Sequence, residues 1–180
     1  MLLLVLPIAL GVPWWMERQD MLDQGAIRPE PTMVPASDEA AELVGTRWEL
    51  RGVLVGELEG AAPPPEGTRL VDAVFKLTPG EGASRKRLVD CKFRAVDGEG
   101  RWWRPTSAYD TRPSLQGTPT LLYGCTDDNS DPLPAGEEVG AVVSFVVPED
   151  AVDSLTVEVA VPTSGRVDAP APASLRFEQK

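Results

Sequence analysis

The sequence contains no histidine, only two cysteines and few basic residues. Without histidine it lacks the most frequent general base of enzymes and the most frequent protein ligand of transition metals. Serine–histidine triads, zinc deaminase sites and HExxH metalloprotease sites are therefore excluded. The 17 lysines and arginines are outnumbered by 28 acidic residues, which gives a net charge of −11. Because this charge repels nucleic-acid phosphates and anionic lipid headgroups, we expect no nucleic-acid partner.

One long apolar run is present, MLLLVLPIALGVPWW at residues 1–15, and it ends in two tryptophans, which favour a membrane interface. The run is uncharged but shorter than the ~20 residues of a membrane-spanning helix, and it contains two prolines. We expect the outer end of a signal anchor whose basic part lies upstream of Met1. The alternatives are a cleaved signal peptide, for which the cleavage motif is poor, and a strand or buried helix of the domain. A lipoprotein is excluded because no cysteine follows the run.

Residues 16–45 hold three prolines among acidic and small residues, and they show no period of either 2 or 3.6. We predict an extended linker, within which a short helix over residues 37–43 would begin at Ser37 as its N-cap. The chain of 180 residues then leaves room for one domain, which we assign to residues 46–180.

Short segments with alternating apolar and polar residues follow one another from residue 46 onward, separated by proline and glycine. In the first of them, Trp48 and Leu50 share one face while charged neighbours take the other, as in a half-buried strand. Further predicted strands cover residues 68–78, 88–95, 101–104, 120–125, 138–148, 153–162 and 174–179. The pattern predicts an all-β sandwich of seven to eight strands.

Cys91 and Cys125 both fall in phase with the inward-facing residues of their predicted strands. Together with an N-terminal segment that indicates export, this favours a disulfide, because disulfides persist in oxidising compartments. Two buried free thiols in a cytosolic protein are the alternative. Between the cysteines, a glycine turn precedes Trp102 and Trp103, which as neighbours in a strand should face opposite sides, one of them into the core.

Cys91, a tryptophan eleven or twelve residues later, and the run Tyr123-Gly124-Cys125 resemble the immunoglobulin pattern of two cysteines, a core tryptophan and a tyrosine. The cysteines lie 34 positions apart, which is too close for the usual bond between the second and sixth strands. Residues 46–180 also resemble uncharacterised telokin-like or immunoglobulin-like extracellular domains of actinobacterial membrane-anchored proteins. The similar segments are residues 48–50, 70–75, 91–102, 125, 134–137 and 145–150. The resemblance implies an immunoglobulin-like β-sandwich and, since the family has no established activity, no catalytic residues.

One candidate binding site is a run of aromatic and cationic residues. Its members are Arg101, Trp102, Trp103 and Arg104. Such a patch would suit a glycan or a peptide. The alternative interpretation is a core tryptophan whose neighbours extend their charged ends to solvent.

A second cluster has the oxygen-rich composition of calcium loops. It consists of Asp127, Asp128, Asn129 and Asp131. Because it lacks the alternating D-x-D-x-D-G spacing, we regard it as ordinary turn chemistry and predict no metal site and no cofactor.

These observations predict a non-catalytic binding or accessory module of the cell envelope, anchored in the cell membrane by a single pass with its domain outside the cytoplasm. Its partner would be an envelope protein or a cell-wall component. One alternative is an envelope hydrolase with a carboxylate pair, although no spacing among the 28 acids singles out a pair. The other is a secreted soluble β-sandwich protein.

Overall fold

The computed structural model describes residues 40–56, 61–81, 83, 88–89, 91–110, 112, 118–121, 124–127, 129, 131–161 and 173–178. The predicted anchor at residues 1–15 and the linker up to residue 39 lie outside this part of the chain. Within it, no helix is long and apolar enough to cross a membrane.

Eight strands and a short 3₁₀ helix make up the described fold. In chain order they are β1 (Ala41–Leu43), β2 (Thr46–Val55), β3 (Thr68–Pro79), β4 (Lys92–Val96), β5 (Trp102–Trp103), β6 (Val139–Pro148), the 3₁₀ helix (Glu149–Ser154), β7 (Thr156–Val161) and β8 (Ala173–Glu178). The first sheet has the order β1-β2-β3-β6, and the second has the order β5-β4-β7-β8. All strand pairs are antiparallel.

This strand order matches the immunoglobulin Greek key. β2, β3 and β6 take the places of strands A, B and E in one sheet, and β5, β4, β7 and β8 take those of C′, C, F and G in the other. The 3₁₀ helix carries the chain from the first sheet to the second, between β6 and β7. The prediction of an all-β, immunoglobulin-like sandwich of seven to eight strands is therefore confirmed.

Aromatic rings from both sheets meet in the middle of the core. Phe75 on β3 contacts Trp48 on β2, with ring centroids 6.2 Å apart. The same ring contacts Phe93 on β4 at 5.8 Å and Phe177 on β8 at 5.6 Å. All four side chains are buried. Since each well-oriented pair contributes ~0.5–1.5 kcal/mol beyond the burial of its area, Phe75 links the two layers at their centre.

β1 is a strand that the sequence analysis did not predict. Its residues, Ala41–Leu43, were assigned to the linker and to a short helix, but they pair with β2 from Trp48 to Thr46. The chain reverses over Val44 and Gly45, which have φ values of 53° and 73°. A two-residue hairpin turn of this kind needs positive φ at both positions and normally shows Asn-Gly or Asp-Gly. Val-Gly lacks that signal, so the hairpin was missed.

The strand predicted over residues 120–125 is also corrected. Among its described residues, Thr120 forms only an isolated parallel bridge with Val142 on β6. The amide of Leu121 donates to the carbonyl of Val142 (2.9 Å), and the amide of Val142 donates to the carbonyl of Pro119 (3.0 Å). The segment thus belongs to the β5–β6 crossover and covers the outer edge of β6, which would otherwise expose unpaired backbone groups.

Candidate functional site

Cys91 and Cys125 form the predicted disulfide, with their Cα atoms 5.8 Å apart. Both residues are buried, with 1 % and 2 % of their surface exposed. Cys91 directly precedes β4, whereas Cys125 lies in the β5–β6 crossover. The bond therefore ties the second sheet to the crossover and does not join strand to strand as the antibody-type disulfide does. The carbonyl of Leu88 accepts hydrogen bonds from both cysteine amides, each at 3.0 Å.

The backbone passes very close to itself beside this bond, at Gly124. A Cβ atom at this position would lie 1.9 Å from the carbonyl oxygen of Val89. Any side chain would push the crossover away from the turn before β4, so only glycine fits next to Cys125. Val89, which lies in the predicted strand 88–95 and shares the alternation of Cys91, is 37 % exposed in this turn.

The predicted patch at residues 101–104 is divided between two faces of β5. Trp103 packs against the core, whereas Trp102 lies on the outer face with 42 % of its surface exposed. Consecutive residues of a strand point to opposite faces, as the sequence analysis expected for these two tryptophans. The Arg101 guanidinium is held by carboxylates, with its Nε donating to Asp97 at 2.5 Å and its Nη2 donating to Asp150 at 3.1 Å.

Arg94, which the sequence analysis did not include, is largely buried and packs against the exposed Trp102 ring. Its Cζ lies 4.7 Å from the centroid of the Trp102 ring, and the Cζ of Arg104 lies 5.6 Å from it. β4 and β5 pair with Ala95 opposite Trp103 and Val96 opposite Trp102, which brings Arg94 and Arg104 side by side. We call Arg94, Trp102 and Arg104 the Trp102 cluster. Arg94 was detectable from the alternation along β4, where it faces away from Phe93.

The outer face around the Trp102 cluster is basic, although the chain as a whole is acidic. β7 places Glu158 opposite Arg94, and β8 places Arg176 opposite Glu158, whose Oε1 accepts a 2.7 Å hydrogen bond from Arg176 Nε. The charged residues on this face of the described strands are Lys92, Arg94, Arg176, Glu158 and Glu178. Arg104, which follows β5, lies on the same face. Four bases against two acids contrast with the net charge of −11 for the chain.

Asp97 holds the turn that leads into β5. Its Oδ1 accepts the amide hydrogens of Glu99 (3.0 Å) and Arg101 (2.8 Å), and its Oδ2 accepts from the Arg101 side chain. Burial by itself would raise the pKa of Asp97. The hydrogen bonds from Arg101 and Glu99 and the positive charge of Arg101 together outweigh burial, so the pKa of Asp97 is lowered. The hydrogen bond to Asp97 in turn raises the pKa of Arg101, against the opposing effect of burial. The pair fixes the turn and so the direction in which Trp102 points.

Asp127 of the calcium-like loop uses its carboxylate within the loop. Its Oδ1 accepts the amide hydrogens of Asn129 (2.9 Å) and Asp131 (2.8 Å), and its own amide donates to the carbonyl of Asp131 (2.9 Å). Asp128 lies outside the described residues. In the part of the chain that the structure describes, no three or more acidic, cysteine or histidine side chains come together as a metal site. Asp127 acts as a turn-forming residue there.

A buried ion pair between Asp72 and Arg112 lies on the outer face of the first sheet. Arg112 Nη1 and Nη2 donate to Asp72 Oδ2 (3.0 Å) and Oδ1 (2.8 Å), and Ser144 Oγ donates to Asp72 Oδ1 (2.7 Å). Arg112 Nε donates to the carbonyl of Tyr109 (2.8 Å). Only 1 % of the Arg112 side chain is exposed. Gly56 leaves the room for it, since a Cβ at Gly56 would lie 2.8 Å from Arg112 Nη1.

No protein-family model and no curated protein matches the chain. Among solved structures, it is similar to the secreted protein MPT63 of Mycobacterium tuberculosis, with a TM-score of 0.48 and 13 % identity over 83 % of this chain and 98 % of that one. It is also similar to the YjhA protein of Bacillus subtilis, with a TM-score of 0.48 and 16 % identity over 79 % and 97 % of the two chains. An uncharacterised β-sandwich protein of Clostridium difficile gives a TM-score of 0.41 and 10 % identity over 86 % and 99 %. Likeness at this level carries no functional argument.

Proposed function

We propose that the chain is a non-catalytic binding or accessory module displayed outside the cytoplasm and held at the cell envelope by its N-terminal segment. The observation that carries the proposal is the buried Cys91–Cys125 disulfide. Disulfides of this structural kind form and persist in oxidising compartments and are rare in the cytosol. The uncharged, tryptophan-terminated run at residues 1–15 supports attachment to a membrane.

The buried carboxylates are already paired with arginines, which favours a binding role over a hydrolytic one. Within the described residues, the three buried acids Asp72, Asp97 and Glu158 each bind an arginine. A glycoside hydrolase instead needs two carboxyl groups that converge on one bond, one of them protonated and ready to donate. Among the described residues that line the cavity beside Cys125, Glu81 is the one acid, so this cavity does not offer a pair of carboxylates. The exposed Trp102 cluster is, by contrast, the kind of surface that binds without reacting.

Export is tested on intact cells that produce the full chain. We expect the protein to sediment with the washed membranes, to be digested by protease added outside the cells, and to resist thiol alkylation until a reductant is added. A Cys125→Ser variant provides the control, because its remaining Cys91 thiol should react after denaturation without reductant. Alkylation of both cysteines in the wild type without reductant, together with protection from protease, would refute export. Protein recovered from the culture medium would refute the anchor alone.

Binding is tested with the purified full chain and isolated cell envelopes of the producing cells. We expect the protein to sediment with envelopes from which lipids have been extracted, because the proposed partner is a protein or a cell-wall component. Protein that stays in the supernatant with both extracted and intact envelopes would refute the binding role.

A further inference from the structure

We infer that the Trp102 cluster binds an acidic polysaccharide, with a sugar ring stacked on Trp102 and a carboxylate of the sugar held by Arg104. The inference rests on the proposed function, because it names the ligand of the exposed module and the face that binds it. It uses a site on the second sheet that is separate from the disulfide and from the buried ion pair of the first sheet.

Trp102 is the exposed aromatic residue of the cluster and provides its apolar surface. The other large hydrophobic side chains that are exposed among the described residues are Leu54, Val55 and Val89, all of them aliphatic. An aromatic ring has a negative face that attracts the slightly positive C–H groups of a sugar ring. The 42 % of Trp102 that stays exposed beside two guanidinium groups leaves ring surface for such a contact.

Arg104 supplies the charge that selects an acidic sugar over a neutral one. Arg104 is exposed, and its Cζ lies 5.6 Å from the centroid of the Trp102 ring. A guanidinium group can bind a carboxylate through two parallel hydrogen bonds, which gives direction as well as attraction. Arg94 is largely buried opposite Glu158, so its role is to position the ring and to add positive potential.

The charge distribution favours an anionic ligand at this face. Four basic and two acidic side chains lie on a face of a chain whose net charge is −11. Acidic surfaces elsewhere would repel the same ligand, so an anion is directed to this sheet. The attraction is local and screened by salt beyond about 8–10 Å, which suits a small charged group next to a ring.

Two other acidic partners fit the observations less well. An anionic membrane attracts protein through clusters of 4–8 basic residues, each worth about 1 kcal/mol, whereas here two acids offset two of the four bases and the rest of the acidic chain would be repelled. An acidic peptide that added a strand to the sheet would need a long free edge, whereas β5 at that edge spans only Trp102–Trp103. A saccharide needs only a ring platform with a charge beside it, and this is what the cluster offers.

Calorimetric titration of the full chain, kept in solution with a mild detergent, tests the inference. The probes are short oligogalacturonates, neutral galacto-oligosaccharides of the same length, polyglutamate and vesicles that contain anionic lipid. We expect the oligogalacturonates to bind in a salt-dependent way, and the neutral sugars to bind roughly tenfold more weakly because they lack the charge-assisted hydrogen bonds. Trp102→Ala should weaken the binding of oligogalacturonates roughly three- to tenfold. Arg104→Gln should remove most of the preference for the acidic sugar.

Matched control variants lie on the first sheet. Leu54→Ala removes an exposed apolar side chain, and Arg47→Gln removes an exposed arginine; both should leave the affinity unchanged. A thermal melt shows whether each variant is folded. Because Arg104 is exposed, Arg104→Gln should fold normally and tests the site even if Trp102→Ala is poorly folded.

Three results would overturn the inference. One is the absence of oligogalacturonate binding by the wild type, which would refute the acidic polysaccharide as the ligand. The proposed function would still be decided separately, by sedimentation with cell envelopes. Another is equal binding of polyglutamate and oligogalacturonate with no effect of Trp102→Ala, which would reduce the effect to charge alone. The third is Trp102-dependent binding to the anionic vesicles in place of the sugars.

Discussion

The outer faces of the two sheets both present arginine side chains, but in opposite environments. On the first sheet, Arg112 is 1 % exposed and fully engaged by Asp72, Ser144 and the carbonyl of Tyr109. On the second, Arg104 is exposed and lies near the ring of Trp102. The crossover after β5 covers Asp72 on the first face, whereas Trp102 and Arg104 are exposed on the second. The same side-chain type therefore stabilises the fold on one sheet and is available to a ligand on the other, and burial makes the difference.

Replacing Arg112 should have the largest effect on stability. Arg112→Ala leaves the Asp72 carboxylate buried without its cation, and breaking a buried pair in this way costs about 3–5 kcal/mol. Urea unfolding followed by tryptophan fluorescence measures the loss. Arg69→Ala is the control, because the Arg69 side chain is 57 % exposed and its pair with Glu149 should contribute at most about 1 kcal/mol. Equal losses in the two variants would contradict the distinction between the faces.

A double variant sharpens this comparison. In Asp72→Leu/Arg112→Leu both charges are removed, so no uncompensated ion is left in the buried site. We expect it to recover most of the stability that Arg112→Ala loses, since apolar replacements of buried pairs are often neutral. A double variant as unstable as the single one would mean that the pair itself, and not the orphaned carboxylate, accounts for the loss.

Removing the disulfide should have the next largest effect. With 34 positions between the cysteines, the chain-entropy relation gives roughly 3 to 4 kcal/mol for Cys91→Ala/Cys125→Ala. The free energy of unfolding of the oxidised wild type and the variant is compared in urea. Adding a reductant should lower the stability of the wild type towards that of the variant and leave the variant unchanged. A variant as stable as the oxidised wild type would show that the bond does not contribute.

The turn before β5 predicts a smaller, pH-dependent effect. The pKa of Asp97 is lowered on folding, so its contribution to stability is present above its ordinary pKa, near 4, and is lost as the pH falls through the folded value. The difference in the free energy of unfolding between the wild type and Asp97→Asn should be largest at neutral pH and shrink below about pH 4. Asp153→Asn, an exposed change on the 3₁₀ helix, controls for charge removal. A difference independent of pH would contradict the assignment.

The smallest expected effect belongs to the exposed arginine of the second sheet. Arg104→Gln should change the free energy of unfolding by no more than about 0.5 kcal/mol, because surface substitutions away from special features rarely do more. Urea unfolding measures it alongside Arg112→Ala. A large loss would place Arg104 among the structural arginines and weaken its assignment to a binding surface.

Alternation predicted the long strands because each buries one face. In β3, β6, β7 and β8, and in β2 as far as Leu50, inward apolar residues recur at every second position, and the structure buries them as expected. Segments without that constraint were predicted less well. Residues 120–125 contain apolar residues in phase, but of those that the structure describes, Leu121 and Cys125 are buried in the core and only Thr120 forms a β-bridge.

Contacts between distant residues could not be predicted. Asp72 alternates as a solvent-facing residue of β3 and becomes buried only because Arg112, 40 residues later, lies over it. The Trp102 cluster was found in part for a similar reason. Trp102 and Arg104 are close in sequence, whereas Arg94 lies on β4 and is brought beside them by the register of the β4–β5 hairpin. Consecutive strand residues such as Trp102 and Trp103 face opposite sides, so the predicted run of four residues is divided between two faces.

The position of Cys125 in the β5–β6 crossover has a consequence for self-association. That crossover supplies the hydrogen bonds that occupy the outer edge of β6, through Thr106, Pro119 and Leu121. The sulfur bridge holds the crossover to the second sheet and so keeps this protection in place. A chain that loses the bridge still has the Arg112–Asp72 pair, but its crossover is held at fewer points, so we expect the edge of β6 to be exposed more often to pairing with other copies. We therefore expect the disulfide to limit edge-to-edge association as well as unfolding.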